Sequence, residues 1–205
     1  MSEKKSTSYK KKNMEKLTVR DFITMALFLV LVFIVYSVVG MFIGLAFPIY
    51  GAVLIHAGCS LFWGTIFILL YTKISKKWVV LIFNVMIALL ILIAAWYAAI
   101  PIVLGGIIAE IVWQKFARKK FTTMMACFTI QITAWFVGIY IPVLMITDLS
   151  ILFRESYIQL YTGIKAVLMG PFFYIAVVVT VLCCIIGSFI GKALLKKHFE
   201  KAGIV

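Results

Sequence analysis

KISKKWVVLIFNVMIALLILIAAWYAAIPIVLGGIIAEIVWQKFARKK, residues 73–120, is the stretch on which the reading of this chain turns. It begins and ends in clustered Lys and Arg, and between Trp78 and Gln114 its only charged residue is Glu110. A membrane crossing takes roughly 20 apolar residues, at about 1.5 Å of helix rise each. The run between the basic clusters is too long for one crossing and suits two. Two crossings return the chain to the side it left, so both basic clusters belong to one face of the bilayer. The stretch reads as a helical hairpin with spans at 79–98 and 101–116 and Pro101 in a tight connection.

The same alternation continues outward. Apolar blocks at 21–45, 48–72, 122–147 and 167–191 are joined by short polar segments, and Pro48 sits in a second tight connection. Hydrophobic residues make up 65% of the 205 residues and charged ones 13%, against the roughly half-apolar composition of soluble domains. The chain therefore reads as all-α, a polytopic membrane protein with a bundle of six transmembrane helices over residues 16–200. Residues 1–15 read as a disordered basic cytoplasmic tail, too long and too basic for a cleavable signal peptide.

Charge gives the bundle a direction. Lys and Arg number seven up to Arg20, three in 73–78, four in 115–120 and four from Lys192 onward, so 18 of 20 fall on one face. Only Arg154 and Lys165 fall on the other. The positive-inside rule then places both termini in the cytoplasm of a multi-pass cell-membrane protein. Topology accounts for the net charge of +13, so the bilayer rather than nucleic acid is the expected partner. Trp78 and Trp113 are expected near the inner boundary, and Trp96, Tyr97 and Tyr140 near the outer one.

Chemical motifs are sparse. Cys59, Cys127, Cys183 and Cys184 lie inside apolar blocks with no CxxC or Cys/His spacing, which argues against a zinc site. There is no HExxH, GxSxG or P-loop, so an enzyme is not expected, nor ATP hydrolysis by this chain. The polar groups within apolar blocks that most invite a functional reading are His56, Asn84, Glu110, Gln114 and Gln131. Intramembrane polar groups either tie helices together or serve function. Asn84 and Gln131 read as interhelical ties. Glu110, five residues before Lys115, is either a structural carboxylate near the inner surface, the favoured reading, or a group for proton or substrate chemistry. His56, about eight residues into the second block, is either an interhelical donor or a ligand for a metal or haem iron. The long connection at 148–166 is either a lid over an outward-facing pocket or an amphipathic connector.

Three stretches carry a family resemblance: KLTVRDFITMALF (16–28), LLYTKISKKW (69–78) and IPIVLGGIIAEIVWQKFARKK (100–120). Together they resemble the MptD/Trep_Strep-type integral membrane proteins, which look like substrate-binding S components of energy-coupling-factor (ECF) transporters. The resemblance implies a subunit that captures a micronutrient from outside. It would then associate with a membrane coupling subunit and two cytoplasmic ATPases, which supply the ATP hydrolysis. It also implies a substrate site in the outer half and a docking helix 1 with an AxxxA face. Here Ala26 is followed by Val30, leaving Gly40 and Gly44 as the small pair.

The candidate substrate-binding residues are Phe47, Tyr50, His56, Trp96, Tyr97, Trp135, Tyr140, Met145 and Tyr174, with Arg154 and Lys165 available for an anionic group. This chemistry suits a flat aromatic ligand. The sharpest expectation is haem or another tetrapyrrole, carried as substrate with His56 as axial ligand and the two cations meeting propionates. A smaller vitamin such as a pyridine or flavin derivative is the alternative. A membrane assembly or interaction protein without a transport substrate is the reading from a different class.

Overall fold

The computed structural model describes residues 16–199, and the basic tail at 1–15 lies outside the described residues. Seven α-helices follow one another: α1 Val19–Ala46, α2 Pro48–Lys73, α3 Val79–Ala94, α4 Trp96–Lys115, α5 Phe121–Met145, α6 Glu155–Leu168 and α7 Phe172–Leu194. A 3-10 turn, Leu149–Ile151, precedes α6, and a π-helical turn, Leu195–Phe199, continues α7. No strand occurs among the described residues. The fold is all-α, and α1, α2, α4, α5 and α7 are long and apolar enough to cross a membrane. The 16 residues of α3 reach only about 24 Å, somewhat less than the roughly 30 Å of a hydrocarbon core.

Two boundaries differ from the sequence reading. Pro101 is not in the connection between the third and fourth blocks. Ala95 alone (φ −148°, ψ 73°) breaks the path, α4 begins at Trp96, and Pro101 lies inside it. The fourth block is therefore a 20-residue helix rather than a short one. The block at 167–191 is also divided. Residues 167 and 168 finish α6, and α7 starts after Pro171. The 148–166 connection is mostly helical, with Leu160, Tyr161, Ile164 and Leu168 turned toward the bundle and Tyr157 exposed. Its amphipathic pattern suits a helix lying against one end of the bundle.

The basic segments collect at one end. Thr18 caps α1, and Asp21 Oδ2 accepts from both Thr18 N (2.7 Å) and Thr18 Oγ1 (2.8 Å). The same oxygen meets Lys76 Nζ at 2.8 Å, joining the start of α1 to the 74–78 loop. Trp113 Nε1 donates to Lys76 O at 2.8 Å, bringing the end of α4 there too. Lys192 stands 4.6 Å from the Phe121 ring centre, pairing the end of α7 with the start of α5. The α1–α2 turn, the Ala95 break and the 146–171 segment occupy the opposite end, where Gly163 faces Ile49 and Tyr97 meets Phe153.

Small residues set the closest helix contacts. Along the seam of α2 and α7, a Cβ on Gly64 would come within 2.1 Å of the Gly187 backbone, and one on Gly187 within 2.1 Å of Ser60 O. Cys184 Sγ and Ser60 Oγ fill the next layer, 3.3 Å apart. Gly40 is already covered by Ile55 of α2, whereas nothing lies within 4 Å of a Cβ on Gly44. Gln131 accepts from Tyr71 Oη and donates to Val80 O (3.2 Å), tying α2, α3 and α5.

Gly187→Val is expected to lower the unfolding temperature in detergent strongly, because overpacking costs about 1–3 kcal/mol even where side chains can shift and here backbone blocks the way. Gly44→Val, with open space around it, should change that temperature little in the same assay.

Candidate functional site

The two ends of the bundle treat buried polar groups in opposite ways. At the basic end every oxygen of Glu110 is engaged. Its side chain is buried on α4, where Oε1 accepts from Trp78 N (2.7 Å) and Gln114 Nε2 (2.8 Å), and Oε2 from Leu81 N (3.3 Å). Trp78 is the N-cap of α3, held in the left-handed region at φ 69°. A carboxylate here satisfies N–H groups that a helix start leaves open and complements the positive end of the helix dipole. Glu110 is thus a structural cap supplied by a neighbouring helix. Gly106 makes this approach feasible, since a Cβ there would lie 2.7 Å from Asn84. Asn84 Nδ2 in turn donates to Ile102 O (3.2 Å), one residue beyond Pro101.

Toward the other end lies a different arrangement. His56 is completely buried on α2, and neither ring nitrogen has a partner among the described residues. Rings from three helices surround it: Tyr36 of α1, Trp63 of α2, and Trp135, Phe136 and Tyr140 of α5. Their centroids stand 5.5–6.4 Å from the imidazole, four of them edge-on. Tyr36, Trp63 and Trp135 lie nearly parallel to one another, with the two indoles 5.1 Å apart. Trp63 Nε1 is satisfied by Val32 O (2.9 Å) and Tyr140 Oη by Ala52 O. Trp135 Nε1 and Tyr97 Oη are buried without partners among the described residues.

A cap closes this group. Phe153 stacks on Tyr161 of α6 at 3.6 Å and meets Tyr97 edge-on at 5.7 Å. The phenols of Tyr36, Tyr97, Tyr140 and Tyr161 lie in one neighbourhood. The arrangement is an aromatic chamber walled and filled by its own side chains, between α1, α2, α4 and α5, and covered by the 149–168 segment. It holds four unpartnered polar atoms: two imidazole nitrogens, one indole N–H and one phenol. Each buried polar atom left without a partner costs about 1–3 kcal/mol, and native structures leave few.

His56, Tyr97, Trp135 and Tyr140 are the candidate residues that come together here. Tyr50, Trp96, Met145, Tyr174 and Phe47 do not join them. All five are exposed on the outside of the bundle, Met145 and Tyr174 by 78% and 73%. Arg154 is an exposed N-cap of α6, and Lys165 Nζ donates to Ile146 O, so neither cation points at the chamber through a contact. The expected interfacial belt also changes. Trp113, Tyr97 and Tyr140 are buried, and only Trp78 and Trp96 of that group are exposed. Tyr36, Trp63 and Phe136 are additions. Trp63 follows His56 by seven residues and Tyr140 follows Phe136 by four, spacings that place each pair on one helix face.

No group of three His, Cys, Asp or Glu side chains converges among the described residues. Residues 19–201 match a family described as hypothetical bacterial integral membrane proteins, Trep_Strep. The chain belongs to this family. Neither the comparison with curated proteins nor that with solved structures returned a match. The stretches that carry the Trep_Strep resemblance now have a physical content. KLTVRD supplies the Thr18–Asp21 cap and the link to Lys76, and GGIIAE supplies the close approach at Gly106 and the Glu110 cap.

Glu110→Ala is expected to destabilise the protein by about 1–2 kcal/mol, as losing a helix cap does. His56→Leu should leave the stability of ligand-free protein unchanged or raise it, since it removes two unpartnered polar atoms at similar volume. Thermal unfolding of both variants in one detergent checks the contrast.

Proposed function

We propose that this Trep_Strep protein is a substrate-capture subunit of an ECF-type importer, embedded in the cell membrane with six spans and both termini in the cytoplasm. The observation that carries the reading is the lidded aromatic chamber with unpartnered polar atoms on His56, Tyr97 and Trp135. Groups that cost stability in the free protein have a use when a ligand supplies their hydrogen bonds. The charge segregation supports the direction, because it turns the chamber's lid outward. On this reading α3 completes the sixth span, and its Glu110-capped start lies at the inner boundary.

The capture step is a matter of enclosure and pairing. A planar ligand would slide between rings that already lie parallel, and stacking would fix its plane. The imidazole can donate from one nitrogen and accept at the other, while Trp135 only donates. Two ligand sizes remain in view. Surrounding rings within 6.4 Å of His56 on several sides favour a small heteroaromatic vitamin that replaces or parts a few side chains. An unengaged imidazole nitrogen favours haem, carried as substrate with iron on His56. The engagement of Lys165 with Ile146 O weakens the pairing expected for propionates.

ATP hydrolysis belongs to separate subunits in this proposal, since no nucleotide-binding motif occurs in the chain. Affinity purification of the tagged chain from its host should bring a membrane coupling subunit and two ATPases. A chain that runs alone and stays ligand-free whatever is added would instead support an assembly role without substrate. Haem titration should shift the Soret band if haem is the ligand, and His56→Ala should abolish that shift. An unshifted band leaves the smaller ligand.

A further inference from the structure

A cleft of about 390 Å³ opens on the outer face of the α3–α4 hairpin at the basic end. That size is within the roughly 300–1,000 Å³ of small-molecule sites. Trp78, Leu81, Ile107 and Ile111 give it an apolar wall, with Glu110, Gln114 and Lys115 at its polar margin. Ile107, Ile111 and Trp78 are exposed, the last by 53%. The wall continues along α4 into Leu104 and Ile108, also exposed, so the cleft opens sideways onto the surface that faces lipid tails in an integral membrane protein.

Charge selects what fits the margin. Lys115 makes no ion pair among the described residues. Lys77 precedes Trp78 directly, and Arg118, Lys119 and Lys120 follow Lys115 closely in the chain. The single acid at the cleft has both oxygens engaged, by the backbone N–H groups of Trp78 and Leu81, the Gln114 amide and the positive end of the α3 dipole. Glu110 and Lys115 offset each other, and Lys77, Arg118, Lys119 and Lys120 close by in the chain give this end net positive charge above an apolar slot. Trp78 lines the slot from the start of α3, in a left-handed backbone conformation that bulky residues seldom adopt. Its N–H bond to Glu110 and the Trp113 bond to Lys76 O keep it there.

We propose that this cleft binds one anionic phospholipid, with its phosphate at Lys115 and the upper part of an acyl chain along Leu81, Ile107 and Ile111 under the Trp78 indole. The site is separate from the aromatic chamber and stands whether or not the chain captures a micronutrient.

Native mass spectrometry of the full chain, released from detergent micelles with phosphatidylglycerol or phosphatidylcholine of matched chains, tests this. Wild type should retain one phosphatidylglycerol in preference to phosphatidylcholine. Lys115→Ala should reduce that preference by about fivefold, the factor that one cation near an anionic surface supplies. Ile107→Trp, a substitution at an exposed position that fills the slot, should remove retention of both lipids. Lys196→Ala, at the end of α7, should behave as wild type. Equal losses in Lys115→Ala and Lys196→Ala would overturn the proposal, showing a general response to basic charge. Retention unaffected by Ile107→Trp would do the same. So would loss of a co-purifying protein subunit in Ile107→Trp with lipid retention intact, which would assign the cleft to a partner helix.

Discussion

The hydrogen bonds of the Glu110 carboxylate are the constraint on which the basic end of the molecule depends. A helix that starts inside a membrane protein cannot leave its first N–H groups to water. The start of α3 meets that demand by borrowing an acid from α4, which in turn requires α4 to pass close by. Gly106 permits the approach, and Asn84 locks it from the α3 side. Trp113, one turn past Glu110, holds the loop that leads into α3, and the Asp21–Lys76 pair holds that loop from α1. One buried carboxylate thus joins α3 to α4 while the Asp21–Lys76 pair adds α1, and its full complement of donors explains why a carboxylate is tolerated there.

The same rule gives meaning to the opposite half of the bundle, where it is not obeyed. His56, Trp135 and Tyr97 are as buried as Glu110, but the atoms that need partners have none among the described residues. The tight seam of α2 against α7 keeps α2 in place beneath them, so the unpaired groups sit on a held frame rather than in a loose region. The clamp at one end and the unpartnered polar atoms at the other are the contrast on which the proposed capture role rests. The lid is the most lightly built part of this half. A 14-residue amphipathic helix is attached through buried Ile164 and Leu168, through Phe153, Tyr161 and Lys165, and by the contact of Gly163 with Ile49.

Much of the fold was legible because membrane insertion leaves strong marks. Long uncharged runs and grouped cations foretold the helices and which loops share an end. The misplaced boundary at Pro101 has a plain cause: proline is tolerated within a helix whose neighbours pack well, and Ala95 carries no breaker signal. The lid helix was obscured because its apolar residues recur on one face only. Family membership followed from KLTVRD and GGIIAE, short motifs whose Thr, Asp, Gly and Glu each prove to have a structural duty. The candidate site was legible in part. His56 stood out as a lone histidine in an apolar block, but aromatic residues serve equally in a core and at an interface. Which of them face inward depends on helix rotation, so Tyr50 and Tyr174 were grouped with the site while Tyr36 and Trp63 were not.

The central claim is that the aromatic chamber takes a small molecule that completes the hydrogen bonds of His56 and Trp135. The most direct measurement is liquid chromatography–mass spectrometry of solvent extracts from protein purified in mild detergent, comparing wild type with His56→Leu. The account predicts a planar aromatic compound present near one per chain in wild type and depleted in the variant, although the variant folds. An identical small-molecule profile for the two proteins would contradict it.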